Sequence, residues 1–182
     1  MDKKTKSLAI SGLLSALGVV ILYIGSLLQV MSLATIFVAS FLVVIAVLEL
    51  KSPWHFLIWI VTSLIALLIM PNKFDAFEYA VFGGLYPILK YYYEKLSRNI
   101  ANVLKIASFN AIFVVVAWAF IWFVGLNEGI VLPFIGAVNP FAYMAVLAVL
   151  GNIVFVIYDI LLTRFIIIYE NNYRKRLKRI FK

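Results

Sequence analysis

The sequence predicts an all-α, polytopic membrane protein: six transmembrane helices in one bundle, with both termini on the cytoplasmic side. Three observations carry this. Hydrophobic residues make up 65% of the chain and charged residues only 13%, with a mean hydropathy of +1.08; a soluble domain is roughly 45–50% apolar and about 25% charged. Six stretches are long and apolar enough, or nearly so, to cross a bilayer, which takes about 20 residues. Threading the chain through them leaves every one of its 16 Lys and Arg residues except Lys73 on one side, and the positive-inside rule makes that side cytoplasmic. The expected organisation is one membrane domain over residues 1–168 and a basic tail over 169–182.

The expected spans are Leu8–Leu28, Leu33–Leu50, Trp54–Met70, Phe77–Tyr92, Val103–Gly125 and Phe141–Ile168. Backbone in lipid must satisfy its own hydrogen bonds, so each should be helical, and long apolar runs without strict alternation argue against a β-barrel. The first run follows a basic start, as a signal peptide does. It continues to Leu28, beyond the usual 7–15-residue signal core, and no convincing cleavage site follows it, so a retained first helix is expected. Ser11, Ser15, Gly18 and Gly25 form a stripe of small residues on it, with Gly12 and Ala16 beside them. Small residues let helix backbones approach closely, which serves either packing within the chain or docking to another membrane subunit.

Gln29 falls in a short outer loop. The second span ends at Glu49 and Lys51, and Pro53 starts the third, with Trp54 and the lone His55 at the interface. The fourth span is entered through a polar corner, Pro71, Asn72, Lys73, Asp75 and Glu78, and contains Gly83, Gly84 and Pro87. Pro87 cannot donate to the carbonyl of Gly83, so this is a short, kinkable helix. Gly/Pro-interrupted segments point to substrate sites in transporters; close helix packing is the competing reading. After it, Tyr91, Tyr92 and Tyr93 with Lys90, Glu94, Lys95 and Arg98 read as an interfacial collar.

The fifth span carries Asn110, Trp118 and Trp122, and the long outer connection Leu126–Pro140, with Asn127 and Asn139, is apolar enough to read as a lid over the bundle mouth. In the sixth span Asn152 and Asp159 share one face. An intramembrane carboxylate marks a functional site by default, against which stands simple pairing with Arg164, Lys105 or Lys90. The tail YENNYRKRLKRIFK suits anionic lipid or a cytoplasmic partner, with nucleic acid disfavoured.

The chemistry missing from the chain narrows its function. It has no Cys and one His, so thiolate sites and disulfides are excluded, and neither a metal site nor a nucleophile–base pair assembles. No P-loop, dinucleotide or hydrolase motif occurs. Neither a cofactor nor enzymatic activity is expected, and transport driven by ATP would need a second chain.

The six-helix chain with cytoplasmic termini, a basic start feeding LAISGLLSALGVV and a last helix opening with LGNIV resembles the S-components of energy-coupling-factor transporters. These are bacterial, multi-pass cell-membrane subunits that capture vitamins and trace nutrients. The resemblance implies a T-component and ATPase subunits as partners. It also implies docking through an AxxxA-type motif on the first helix, whose nearest match here is Gly12-x-x-x-Ala16 with Ser11 and Ser15 adjacent. Substrate would then lie near the outer face, making Gln29, Asn72, Lys73, Asp75, Glu78, Trp118, Trp122, Asn127 and Asn139 the candidates. The alternative is a scaffold that binds a partner and lipid but no substrate; a proton-coupled carrier using Asp159 is a third reading.

Overall fold

The computed structural model describes residues 2–28, 32–50, 52–124, 130–132, 136–138 and 140–173. Seven α-helices dominate: α1 (Lys3–Leu28), α2 (Ser32–Glu49), α3 (Trp54–Ile69), α4 (Lys73–Glu78), α5 (Leu85–Tyr93), α6 (Arg98–Val124) and α7 (Pro140–Ile168). A π-helical turn, Tyr79–Gly83, joins α4 to α5, and another, Tyr169–Tyr173, follows α7. The connection from α6 to α7 holds a small antiparallel hairpin, β1 (Ile130–Leu132) against β2 (Gly136–Val138), with Ile130 opposite Val138.

Among the described residues four helical stretches are long and apolar enough to cross a membrane: Lys4–Leu28, Ser32–Glu49, Arg98–Ala119 and Tyr143–Asn172; Trp54–Ile69 is a shorter apolar helix. Large hydrophobic side chains along them, among them Leu68, Val103, Val114 and Val149, are exposed. A soluble monomer rarely shows contiguous apolar surface on this scale, and a lipid-facing one must. The fourth expected span is not a single α-helix; it is α4, the π turn and α5 in succession.

The helices alternate in direction. At one end, the basic end, the start of α1 meets the end of α2, the start of α3 and α5: Ile10 and Leu14 pack on a core of Val43, Val47, Leu50, Ile58 and Ile88. At the opposite end Leu22, Ile36, Met70, Ala76 and Tyr79 form the core. The small-residue stripe of α1 explains how closely this first half packs. Ser11 and Ser15 are buried, a Cβ on Gly18 would lie 3.2 Å from Thr62 of α3, and one on Gly25 would collide with Thr35 of α2.

The corner between α3 and α4 is built by its polar residues. Met70 turns extended ahead of Pro71, as the residue before a proline prefers. Asn72 caps α4, its Oδ1 accepting from the Phe74 N–H at 3.0 Å, while its own N–H donates to Ser26 Oγ of α1 at 3.2 Å. Lys73 donates to the last carbonyls of α3, Leu67 and Leu68, both at 2.9 Å; a cation there also complements the helix dipole.

The π turn follows from Gly-Gly-x-x-Pro. The N–H of Gly84 reaches back five residues to Tyr79, at 2.7 Å. In an α-helix it would bond the carbonyl of Ala80, which here accepts instead from the Trp59 indole at 2.8 Å. The glycines permit the approach: a Cβ on Gly83 would sit 2.5 Å from Ile36 of α2, and one on Gly84 2.5 Å from Trp59 of α3. The packing reading of these glycines is therefore seen directly.

Candidate functional site

A cavity of about 410 Å³ lies between α2, the α4–π segment, α6 and α7. That volume falls in the range of about 300–1,000 Å³ of small-molecule sites. Its wall is almost wholly apolar. Ile36 and Phe37 come from α2, Phe74 and Phe82 from the α4–π segment, Val116 and Ala117 from α6, and Leu147 and Gly151 from α7. Among the described residues Glu78 is its one carboxylate, and Tyr143 contributes a phenol.

The floor, toward the basic end, is an aromatic cluster. Phe109 stacks on Phe155 with centroids 4.5 Å apart, Tyr86 meets Phe155 edge-on at 5.0 Å, and Phe82 and Tyr158 complete it. Offset and edge-on aromatic pairs of this kind contribute beyond their buried area, which stabilises the floor.

α2 and α7 touch through Phe37 and Tyr158, with ring centroids at 4.3 Å, and through Phe41 and Phe165 at 4.5 Å. One turn further from the basic end on the two helices, Leu33 and Val154 both line the cavity and are 56% and 44% exposed, so the cavity has an apolar, exposed edge there. Its α6–α7 wall is held by a reciprocal amide pair. Asn110 Nδ2 donates to Asn152 Oδ1 and Asn152 Nδ2 to Asn110 Oδ1, both at 3.1 Å, and each amide also donates to a carbonyl of its own helix.

Beneath the floor lies a charged cluster. Lys90 is only 1% exposed. Its ammonium is paired with Asp159 Oδ1 and donates to Glu94 at 2.8 Å and Thr163 Oγ1 at 2.8 Å. Lys105 reaches Glu94 at 2.9 Å and Asp159 Oδ2 at 3.2 Å, and the Tyr86 hydroxyl donates to Asp159 Oδ1 at 2.7 Å. Two lysines thus balance two carboxylates, as buried charges require. The partners of Asp159 are Lys90 and Lys105, not the exposed Arg164. Lys90 itself belongs to this cluster rather than to the interfacial collar, because Asp159 draws it inward; Lys95, over the Tyr91 ring at 4.0 Å, stays at the surface. His55 is buried beside Phe56, with ring centroids 4.6 Å apart, instead of lying at the interface. Among the described residues no group of His, Cys, Asp and Glu is arranged to hold a metal.

Of the residues expected to bind substrate, Glu78 lines the cavity. Asn72 and Lys73 serve the α3–α4 corner. Asp75 is buried beneath it and accepts from Asn72 Nδ2 at 2.9 Å. Trp118 is 67% exposed. Gln29, Asn127 and Asn139 lie outside the described residues, as do the side chain of Trp122 and the tail residues 174–182. Of the docking residues, Ser11 and Ser15 are covered by the chain's own helices. Gly12 and Ala16, each one residue on and so turned by about 100°, are exposed, and a Cβ on Gly12 would meet nothing within 4 Å. The sequence reading missed the Phe and Leu residues of the wall and the Asn110–Asn152 pair. Only the latter carried a signal, two amides in apolar helices. Compared with family models, curated proteins and solved structures, the chain matches none.

Proposed function

We propose that the chain is the substrate-binding subunit of a nutrient-uptake transporter. It crosses the bacterial cell membrane six times with both termini in the cytoplasm, and it depends on a T-component and ATPase chains for energy. It acts by binding rather than by catalysis. The observation that carries this is the cavity, a ligand-sized apolar space with one carboxylate, at the end of the bundle away from the basic residues. Two further observations support it. α4, the π turn and α5 together run over 21 residues, 73 to 93, about the length a crossing takes, and the exposed Gly12–Ala16 face of α1 carries the small residues that suit a close helix contact.

Thermal shift of the purified full chain against a panel of vitamins and related nutrients tests the reading, together with co-purification from cells that express an energy-coupling module. A stabilising nutrient and a retained ATPase are expected. No shift across the panel and no retained ATPase would remove it. The exposed face of α1 also favours a second reading, a non-transporting scaffold. In that case Glu78→Gln is silent in growth and localisation, while Gly12→Leu or removal of residues 174–182 is not.

A further inference from the structure

We infer that the cavity accepts an apolar molecule bearing a single protonated amine. This rests on the reading of the cavity as a binding site and names the class of ligand it takes. The argument starts from Glu78. Among the described residues it has no hydrogen-bond or ion-pair partner, although it lies in a wall of Phe, Leu, Ile and Val side chains. A carboxylate facing apolar surroundings without a partner is costly, and the cost is relieved by a cation, a hydrogen-bond donor or uptake of a proton; a protonated amine brings all three. Among the described residues none supplies such a partner. Lys73, the closest cation along the sequence, is committed to the carbonyls of Leu67 and Leu68 at 2.9 Å. Asn72 is committed to Asp75 and to the cap of α4. Asp75, one turn before Glu78 on α4, is a second carboxyl near it. The site thus disfavours anions, and a neutral donor meets only the hydrogen-bonding part of what a cation would meet.

The surroundings select the rest of the ligand. Phe74 and Phe82 line the same cavity as Glu78, so an ammonium held there shares the space with aromatic rings, to which cations are attracted. Apart from the Tyr143 phenol the remaining wall is hydrocarbon, and Leu33 and Val154 at its exposed edge are hydrocarbon as well. A strongly hydrated, polyhydroxylated solute loses its water there without replacement. An apolar body with one amine leaves no group unsatisfied.

The test uses the full chain in nanodiscs and four probes: decylamine, decanol, decanoate and butylamine. Saturable binding is measured by equilibrium dialysis against empty nanodiscs. Decylamine is expected to bind about tenfold or more tightly than decanol, decanoate or butylamine, in line with the strength of a hydrogen bond to a charged group. Glu78→Gln, close in shape to the original, is expected to reduce decylamine to the level of decanol. Gly151→Leu should fill the cavity: a Cβ there meets Phe109 at an ordinary 3.4 Å, and the rest of the side chain takes ligand space, so binding of decylamine and decanol should both fall. Equal binding of decylamine and decanol overturns the inference while leaving a ligand site in place. An amine preference that survives Glu78→Gln, or decylamine binding untouched by Gly151→Leu, also overturns it, because the amine then sits elsewhere. If no probe and no nutrient of the panel binds saturably, the binding reading falls as well.

Discussion

Replacing Asp159 with Asn tests what holds α5, α6 and α7 together. The change keeps the shape and removes one negative charge from a cluster in which Lys90 and Lys105 are balanced by Asp159 and Glu94. One buried positive charge is then uncompensated, and Lys90, 1% exposed, has no route to water. Breaking a buried pair by deleting one partner costs about 3–5 kcal/mol. The low end, about 3 kcal/mol, applies here, because the Asp159 side chain keeps 21% of its exposure and Glu94 still reaches both ammoniums. For a chain of this size that is a fall in Tm of roughly 6–12 °C. The assay is thermal unfolding of the full chain in mild detergent, followed by tryptophan emission. A Tm within about 1 °C of the parent would refute the reasoning, since it would mean that the cluster carries no net interaction. The double variant Lys90→Met/Asp159→Asn sharpens the result: its cost should fall short of the sum of the two single costs by about 1 kcal/mol or more. If uptake can be measured, its retention in Asp159→Asn would leave the carboxylate structural and remove it as a proton carrier.

Three other expectations follow from the packing. Gly83→Ala should destabilise by about 1–3 kcal/mol, as overpacking does, because the new methyl lands 2.5 Å from Ile36; Gly12→Ala, with open space around it, serves as the control in the same detergent melts. Trp59→Phe strips the donor from the Ala80 carbonyl and should cost about 1–3 kcal/mol, with faster amide exchange across Tyr79–Gly83; unchanged exchange there would count against the indole as the support of that turn. Asn110→Leu and Asn152→Leu should each cost about 1 kcal/mol, and a double-mutant cycle should show coupling near 0.6 kcal/mol, as for other polar pairs in membranes; strict additivity would argue that the two amides do not meet.

The long helices were legible because burial in lipid and burial in protein both demand apolar residues, so runs such as Leu33–Leu50 stand out whichever neighbour covers them. For the same reason the cavity wall was not legible. Phe109, Leu147 and Val154 differ in nothing, as sequence, from the exposed Val114 and Val149. Polar residues were legible as a local cluster from Asn72 to Glu78, but not in their division of labour. Lys73 and Glu78 are five apart, and one closes a helix end while the other faces the cavity. Lys90 was read both with its sequence neighbours, the tyrosines, and as one of three possible partners of Asp159; its place is decided by Asp159, 69 residues away. The glycines and proline of the fourth segment did announce an irregular helix; the extra residue in its turn depends on Trp59 and Ile36, which no local pattern reveals.

That extra residue fixes how everything after it is clocked. Deleting one residue between Tyr79 and Gly83 would yield a more regular helix, yet it would swing the following segment through about 100°. Tyr86 and Lys90 would then face away from Asp159. Natural length variation at this point should accordingly be rarer than in any loop of the protein, although the segment looks like the one most in need of repair.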